Sequence, residues 1–159
     1  MQRLFSGFIG NKGATGLLVL RVVAGLALMF HGWPKIQNPF NWMGSDSWAP
    51  GFLQGLAALC EFGGGFLLIL GLLTPLACFG IACVMATAIL SVHLPKGDPF
   101  VALPGTGRGS YELALNYFAV AVALMLAGPG IFSLDAWLFR KKAAATQAPI
   151  AEPRPRVPV

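Results

Sequence analysis

Charge is what this sequence has least of. Only 11% of its residues are Asp, Glu, Lys or Arg, and six of the 159 are acidic, whereas ordinary globular domains carry about 25% charged residues. So few charges exclude a conventional water-soluble surface. Nucleotide-binding motifs are missing too: no G-x-G-x-x-G follows a strand and there is no Walker loop. Electrons from NAD or a flavin would have to arrive on another polypeptide. The three cysteines, Cys60, Cys78 and Cys83, form no C-x-x-C. Cys60 and Cys78 fall at different depths, so no bridge between them is expected, and all three read as small buried core residues. No Glu-x-x-His pair, the signature of metal sites in helical bundles, occurs.

What is abundant is apolar. Hydrophobic residues make up 56%, and a membrane-spanning helix needs about 20 of them in succession, roughly 17–25. Four segments qualify or nearly do: Gly16 to Trp33, Phe52 to Leu73, Leu76 to Leu94, and Tyr111 to Ala127. Thr74-Pro75 leaves room only for an antiparallel turn. The first segment carries Arg21 and precedes no small-residue cleavage site, so it reads as a retained span rather than a signal sequence. The expected fold is all-α, an integral membrane four-helix bundle over 16–138, after an interfacial start at 1–15 with Phe5, Phe8 and Ile9.

Lys and Arg near the span ends set orientation. Arg3, Lys12, Arg140, Lys141, Lys142, Arg154 and Arg156 fall on one side, against Lys35, Lys96 and Arg108 on the other. Both termini are therefore expected in the cytoplasm. The net charge of +5 expresses this bias toward an anionic inner leaflet and is not a nucleic-acid footprint. After Gly128-Pro129-Gly130, Ser133 reads as the N-cap of a short interfacial helix. Residues 139–159 form a basic, Pro-rich cytoplasmic tail, which from Ala143 onward has too little apolar surface to order itself.

HGWPKIQNPF at 31–40 echoes HLPKGDPF at 93–100, and each precedes a helix with one early glutamate, Glu61 or Glu112. A repeat of this kind would make two parallel helical hairpins about an axis along the membrane normal; coincidence is the alternative.

A charge in the bilayer costs at least ~2.5–3.5 kcal/mol unless it finds a partner, a cavity or the interface. Arg21 lies about 18 Å from the outer end of the first span and Glu61 about 13 Å below the outer end of the second, at about 1.5 Å per residue. An Arg21–Glu61 pair is therefore feasible. On the first helix Arg21, His31 and Lys35 share an arc of about 80°. Glu112 opens the fourth helix with Asn116 one turn deeper. Gly25, Gly64 and Gly65 let helices approach closely in lipid. Together these place Glu61, Arg21, His31 and Glu112 as reactive groups, and His93, Asn116 and Lys35 as binding groups, around one polar pocket open to the outer side. Plainer readings stand beside this one. His93 is equally a solvated interfacial residue, Lys35, Lys96 and Arg108 are solvated loop residues, Glu112 favours a helix N-terminus, and an Arg–Glu pair specifies packing alone.

The pattern Arg21, Gly25, Phe30-His31-Gly32, Lys35, then Glu61-Phe62-Gly63-Gly64, Gly71-Leu72-Leu73-Thr74-Pro75, His93-Leu94-Pro95-Lys96-Gly97, Tyr111-Glu112-Leu113-Ala114-Leu115 and Ser133-Leu134-Asp135 resembles the DoxX family of small four-helix membrane proteins. The resemblance spans about 16–138 with no departure at these positions. It implies a bacterial or archaeal cytoplasmic (inner) membrane protein. Quinone- or sulfur-linked redox chemistry, in a complex with a protein partner or as a homo-oligomer, is implied with it. Quinone reduction consumes protons that a dry bilayer cannot supply, and buried Glu and His groups commonly mark such relays. Two other classes are weighed against this. His31 and His93 on separate helices would serve as axial haem ligands or metal ligands, and a non-catalytic scaffold or small transporter would need only the packing.

Overall fold

The computed structural model describes residues 11–138; the expectations for the 1–10 start and the 139–159 tail lie outside the described residues. Among the described residues four long helices are formed: α1 (Asn11–Gln37), α2 (Gly51–Leu70), α3 (Thr74–Ala88) and α4 (Glu112–Ala127). A π-helical turn, Ile89–His93, extends α3. Among the described residues three helices are long and apolar enough to cross a membrane, Lys12–Gln37, Gly51–Leu70 and Thr74–His93, and Glu112–Ala127 is a shorter apolar helix. At 16 residues, α4 measures about 24 Å.

The surface is apolar where a soluble protein would be polar. Phe30, Leu56, Phe66, Leu76, Phe79, Leu90 and Leu126 are all exposed, an arrangement that suits lipid as the outer solvent. Inside, Leu28, Leu68, Cys78, Ile81, Met85, Ala121 and Leu124 form one core joining all four helices.

The turn between α2 and α3 falls at 71–73, with Thr74-Pro75 opening α3 instead of forming the turn, and two boundaries of α1 also differ from the sequence reading. α1 begins at Asn11, inside the segment expected to be interfacial, and runs through Pro34 to Gln37 instead of stopping at Trp33. Pro34 forfeits one backbone bond, but at the last turn of the helix this does not end it. Lys35 therefore stands on a helix, not in a solvated loop.

α1 and α2 pack antiparallel along a seam of glycines. A Cβ at Gly25 would sit 2.6 Å from the Gly65 carbonyl oxygen, and one at Gly65 would sit 2.6 Å from the Gly25 oxygen. A Cβ at Gly32 would lie 2.6 Å from the Phe62 nitrogen. These clashes are with backbone, which cannot move aside, so the seam fixes the register: Gly32 beside Phe62, Gly25 beside Gly65 and Ile69.

α2 ends in a Schellman turn. Gly71 adopts φ +62, Gly71 N–H donates to Leu68 O and Leu72 N–H to Leu67 O. Leu73 then takes φ +48, the one non-glycine residue with positive φ among those described, and such strain needs support from outside. The support is Asp135, whose Oδ1 accepts from Leu73 N–H at 2.8 Å and whose Oδ2 accepts from Thr74 N–H at 2.9 Å. Asp135 belongs to a short helix over 134–138. Its N-cap is Ser133, as the sequence led one to expect: Ser133 Oγ accepts from Ala136 N–H at 3.1 Å.

Candidate functional site

Glu61 lies on α2 with its side chain 4% exposed. Its partner is Lys35, whose Nζ donates to Oε1 at 2.5 Å and to Oε2 at 2.6 Å. The same ammonium sits 4.6 Å from the centroid of the Trp42 ring, a cation–π contact. Burial of a carboxylate this deep requires such pairing.

The expected Arg21–Glu61 pair is not formed. Arg21 is fully buried, but at the opposite end of the bundle, where Nη2 donates to the Phe132 carbonyl. It lies against Gly71 and feels the charge of Asp135. The depth estimate failed for two reasons. α1 continues past Trp33, which shifts the zero of the scale, and the glycine seam sets Glu61 level with the last turns of α1 rather than with its middle. One turn below Gly25, Arg21 faces the α2–α3 turn.

Around the Lys35–Glu61 pair lie two cavities. The first, about 220 Å³, is lined by His31, Lys35, Glu61, His93, Ser110 and Tyr117 among others. The sequence-derived pocket is thus present for His31, His93, Lys35 and Glu61. His31 and Lys35, one turn apart on α1, both reach it, as their shared arc requires. His31 packs edge-on against Tyr117 with ring centroids 5.9 Å apart. His93, carried on the π-helical turn, has Nδ1 2.8 Å from Oδ2 of Asp98, which fixes the ring's orientation. Glu112 and Asn116 do not line either cavity: Glu112 is half-buried at the first turn of α4 and Asn116 is exposed. Lys96 and Arg108 are exposed, in keeping with the loop reading, and Arg108 donates to the Gly97 carbonyl.

The second cavity, about 360 Å³, lies on the other side of the ion pair, between α2, α3 and the 38–50 loop. Lys35, Glu61 and Ala88 border both spaces, so the ion pair stands between them. Its walls include Trp42, Trp48, Leu53, Leu56 and Val84. Gln54 holds the loop over it. The Gln54 carbonyl accepts from Trp42 Nε1–H at 3.0 Å, its Oε1 accepts from Met43 N–H at 3.0 Å, and its Nε2–H donates to Ala49 O at 2.9 Å. Cys78 is buried as expected, Cys60 is half-buried, and Cys83, expected in the core, is exposed and borders this cavity.

Sequence reasoning missed Asp98, Tyr117, Gln54 and Asp135. Asp98 had a signal, since it sits five residues after His93 in HLPKGDPF. Trp42 and Trp48, in the loop after α1, suit the membrane boundary by residue type, and composition cannot tell an aromatic lying on headgroups from one closing a cavity. Among the described residues no group of three His, Cys, Asp or Glu is placed to hold a metal ion.

Apolar helices with an ionisable recess between them define an all-α membrane protein. The chain belongs to the DoxX family, whose model matches residues 16–94. It is 32% identical over 127 residues to an uncharacterized protein of Haemophilus influenzae, covering 79% of this chain and 92% of that one. It is 31% identical over 130 residues to a Bacillus subtilis protein named "Putative oxidoreductase CatD", covering 80% and 90%. To the Escherichia coli protein named "Inner membrane protein YqjF" it is 31% identical over 133 residues, covering 79% and 94%. No solved structure matches the chain.

Proposed function

We infer that this chain is a four-helix inner-membrane protein with both termini in the cytoplasm, serving as a subunit or accessory of a quinone- or sulfur-linked redox system. The observation that carries this reading is the Lys35–Glu61 pair standing between a histidine-lined cavity and a tryptophan-lined one. The E. coli relative's name supports the location and the B. subtilis relative's name supports oxidoreductase association. The Lys/Arg bias supports the orientation, and the closeness of Gly130 to Leu17 brings the two described ends of the chain together, as an even number of spans requires. The pairing of α1 with α2 and of α3 with α4 suits two parallel hairpin repeats.

In this reading Glu61 is the proton-handling group, His31 and His93 pass protons to it, and Lys35 holds its charge and orients the ligand. Reducing a quinone takes two electrons and two protons. The electrons come from a flavin- or NAD-linked partner polypeptide, and the histidine cavity supplies the protons where the hydrocarbon cannot. Arg21 and Asp135 support the fold at the other end.

The test is Glu61→Gln in membrane vesicles that contain the chain and its native partners, given a quinone and the physiological reductant. Losing a positioned acid or base costs about 10²–10⁴ in rate, so turnover should fall by at least about 100-fold with the amount of protein unchanged. Wild-type turnover in this variant overturns the reading.

A further inference from the structure

Quinones and sulfur anions differ in how they would reach this site, and the larger cavity discriminates between them. Its wall contains Trp48, Leu53, Leu56 and Cys83, all exposed on the outside of the bundle. Leu53 and Leu56 lie on α2 and Cys83 on α3, within the two helices' apolar spans. The mouth of the cavity therefore faces sideways, toward acyl chains. The charge it presents is the Lys35–Glu61 pair, which is internally neutral. An inorganic anion entering here would lose its hydration and meet no net positive charge, an expensive exchange. A neutral planar ring with an apolar tail meets no such penalty and gains contact with the indoles of Trp42 and Trp48. One polar anchor is available to it. The Lys35 ammonium has three N–H donors, two of which go to Oε1 and Oε2 of Glu61, leaving one for a ring carbonyl.

We propose that the tryptophan-lined cavity is a binding site for a neutral, carbonyl-bearing planar ring with an apolar tail, which enters from the bilayer between α2 and α3. This rests on the redox-ligand reading above and narrows it to quinone-class ligands. The histidine-lined cavity is the separate polar side of the same ion pair.

Cys83 is a reporter at the mouth. The wild-type chain is placed in lipid nanodiscs, and modification of Cys83 is followed by mass spectrometry with a membrane-permeant maleimide and with a charged, impermeant one. The probes are decylubiquinone and thiosulfate. Decylubiquinone should quench tryptophan fluorescence saturably, less so in Trp42→Phe, and at ten times its Kd should slow permeant labelling of Cys83 about tenfold. Thiosulfate should do neither, and the impermeant reagent should react far more slowly than the permeant one. Four results would each overturn the proposal: no saturable quenching, quenching that leaves Cys83 unprotected, protection by thiosulfate, or equal labelling by both reagents. Failure of the proton-handling reading is distinguishable, because a chain that binds and protects as described but whose Glu61→Gln variant turns over normally keeps this site and loses only that role.

Discussion

Lys35 and Glu61 depend on each other unequally. Glu61 is nearly inaccessible while Lys35 keeps 24% of its side chain exposed, so removing the lysine strands a buried carboxylate, whereas removing the glutamate leaves a cation that can turn toward water. Breaking a buried pair from one side costs about 3–5 kcal/mol, and replacing both partners with apolar residues is often close to neutral. Lys35→Met should therefore be the most destabilised of three variants, Glu61→Leu less so, and the double variant should recover much of the loss. Thermal unfolding in detergent micelles reads this directly, and a double variant worse than Lys35→Met would show that the pair is not coupled as described. Arg21 presents the contrasting residue. Fully buried, it leaves Nε and Nη1 without a partner among the described residues and relies on the Phe132 carbonyl and the nearby Asp135 charge.

At the scale of elements, the α1–α2 seam is the part on which the site depends most. Lys35 is on one helix and Glu61 on the other, so whatever separates the helices separates the pair. Gly65→Leu forces a side chain into space held by the Gly25 carbonyl and Met29. Overpacking typically costs about 1–3 kcal/mol, and here the obstruction is backbone. The variant should unfold at lower temperature and lose saturable quinone quenching with it. Gly16→Ala is the control, because nothing lies within 4 Å of a Cβ there and alanine is the better helix former by about 1 kcal/mol. It should leave binding unchanged and stability equal or higher. Equal effects from the two substitutions would remove the seam from the account.

The whole molecule has two ends with different work. At one end sit the ion pair, both cavities and the histidines. At the other, Asp135 closes the α2–α3 turn by accepting from Leu73 and Thr74 N–H, and its own N–H donates to Gly71 O at 2.9 Å. The segment after α4 is thereby fastened to the turn between α2 and α3, with Arg21 beneath. Asp135→Ala orphans two N–H groups, that of part-buried Leu73 and that of buried Thr74, the buried one costing about 1–3 kcal/mol. Local opening should follow: amide hydrogen exchange at residues 71–75 should quicken, while quinone quenching and the protection of Cys83 stay as in wild type. Loss of ligand binding in this variant would show that the ends are coupled.

Sequence alone determined the apolar composition, the helical segments, an antiparallel turn next to Thr74-Pro75 though not its position at 71–73, the Ser133 cap, and the meeting of His31, His93, Lys35 and Glu61 around one recess. These follow from local causes: run length, turn chemistry, helical periodicity, and the cost of leaving a charge in lipid. The tertiary structure decided which cation neutralises Glu61. Periodicity tells which face of a helix a residue occupies but not what stands opposite it, and that was set by α1 continuing through Pro34 and by glycines meeting backbone to backbone. It also brought Asp135 to Leu73 and Asp98 to His93. The first contact joins residues far apart in the chain, and the second, although His93 and Asp98 are only five residues apart, is made by a π-helical turn that helical periodicity does not announce.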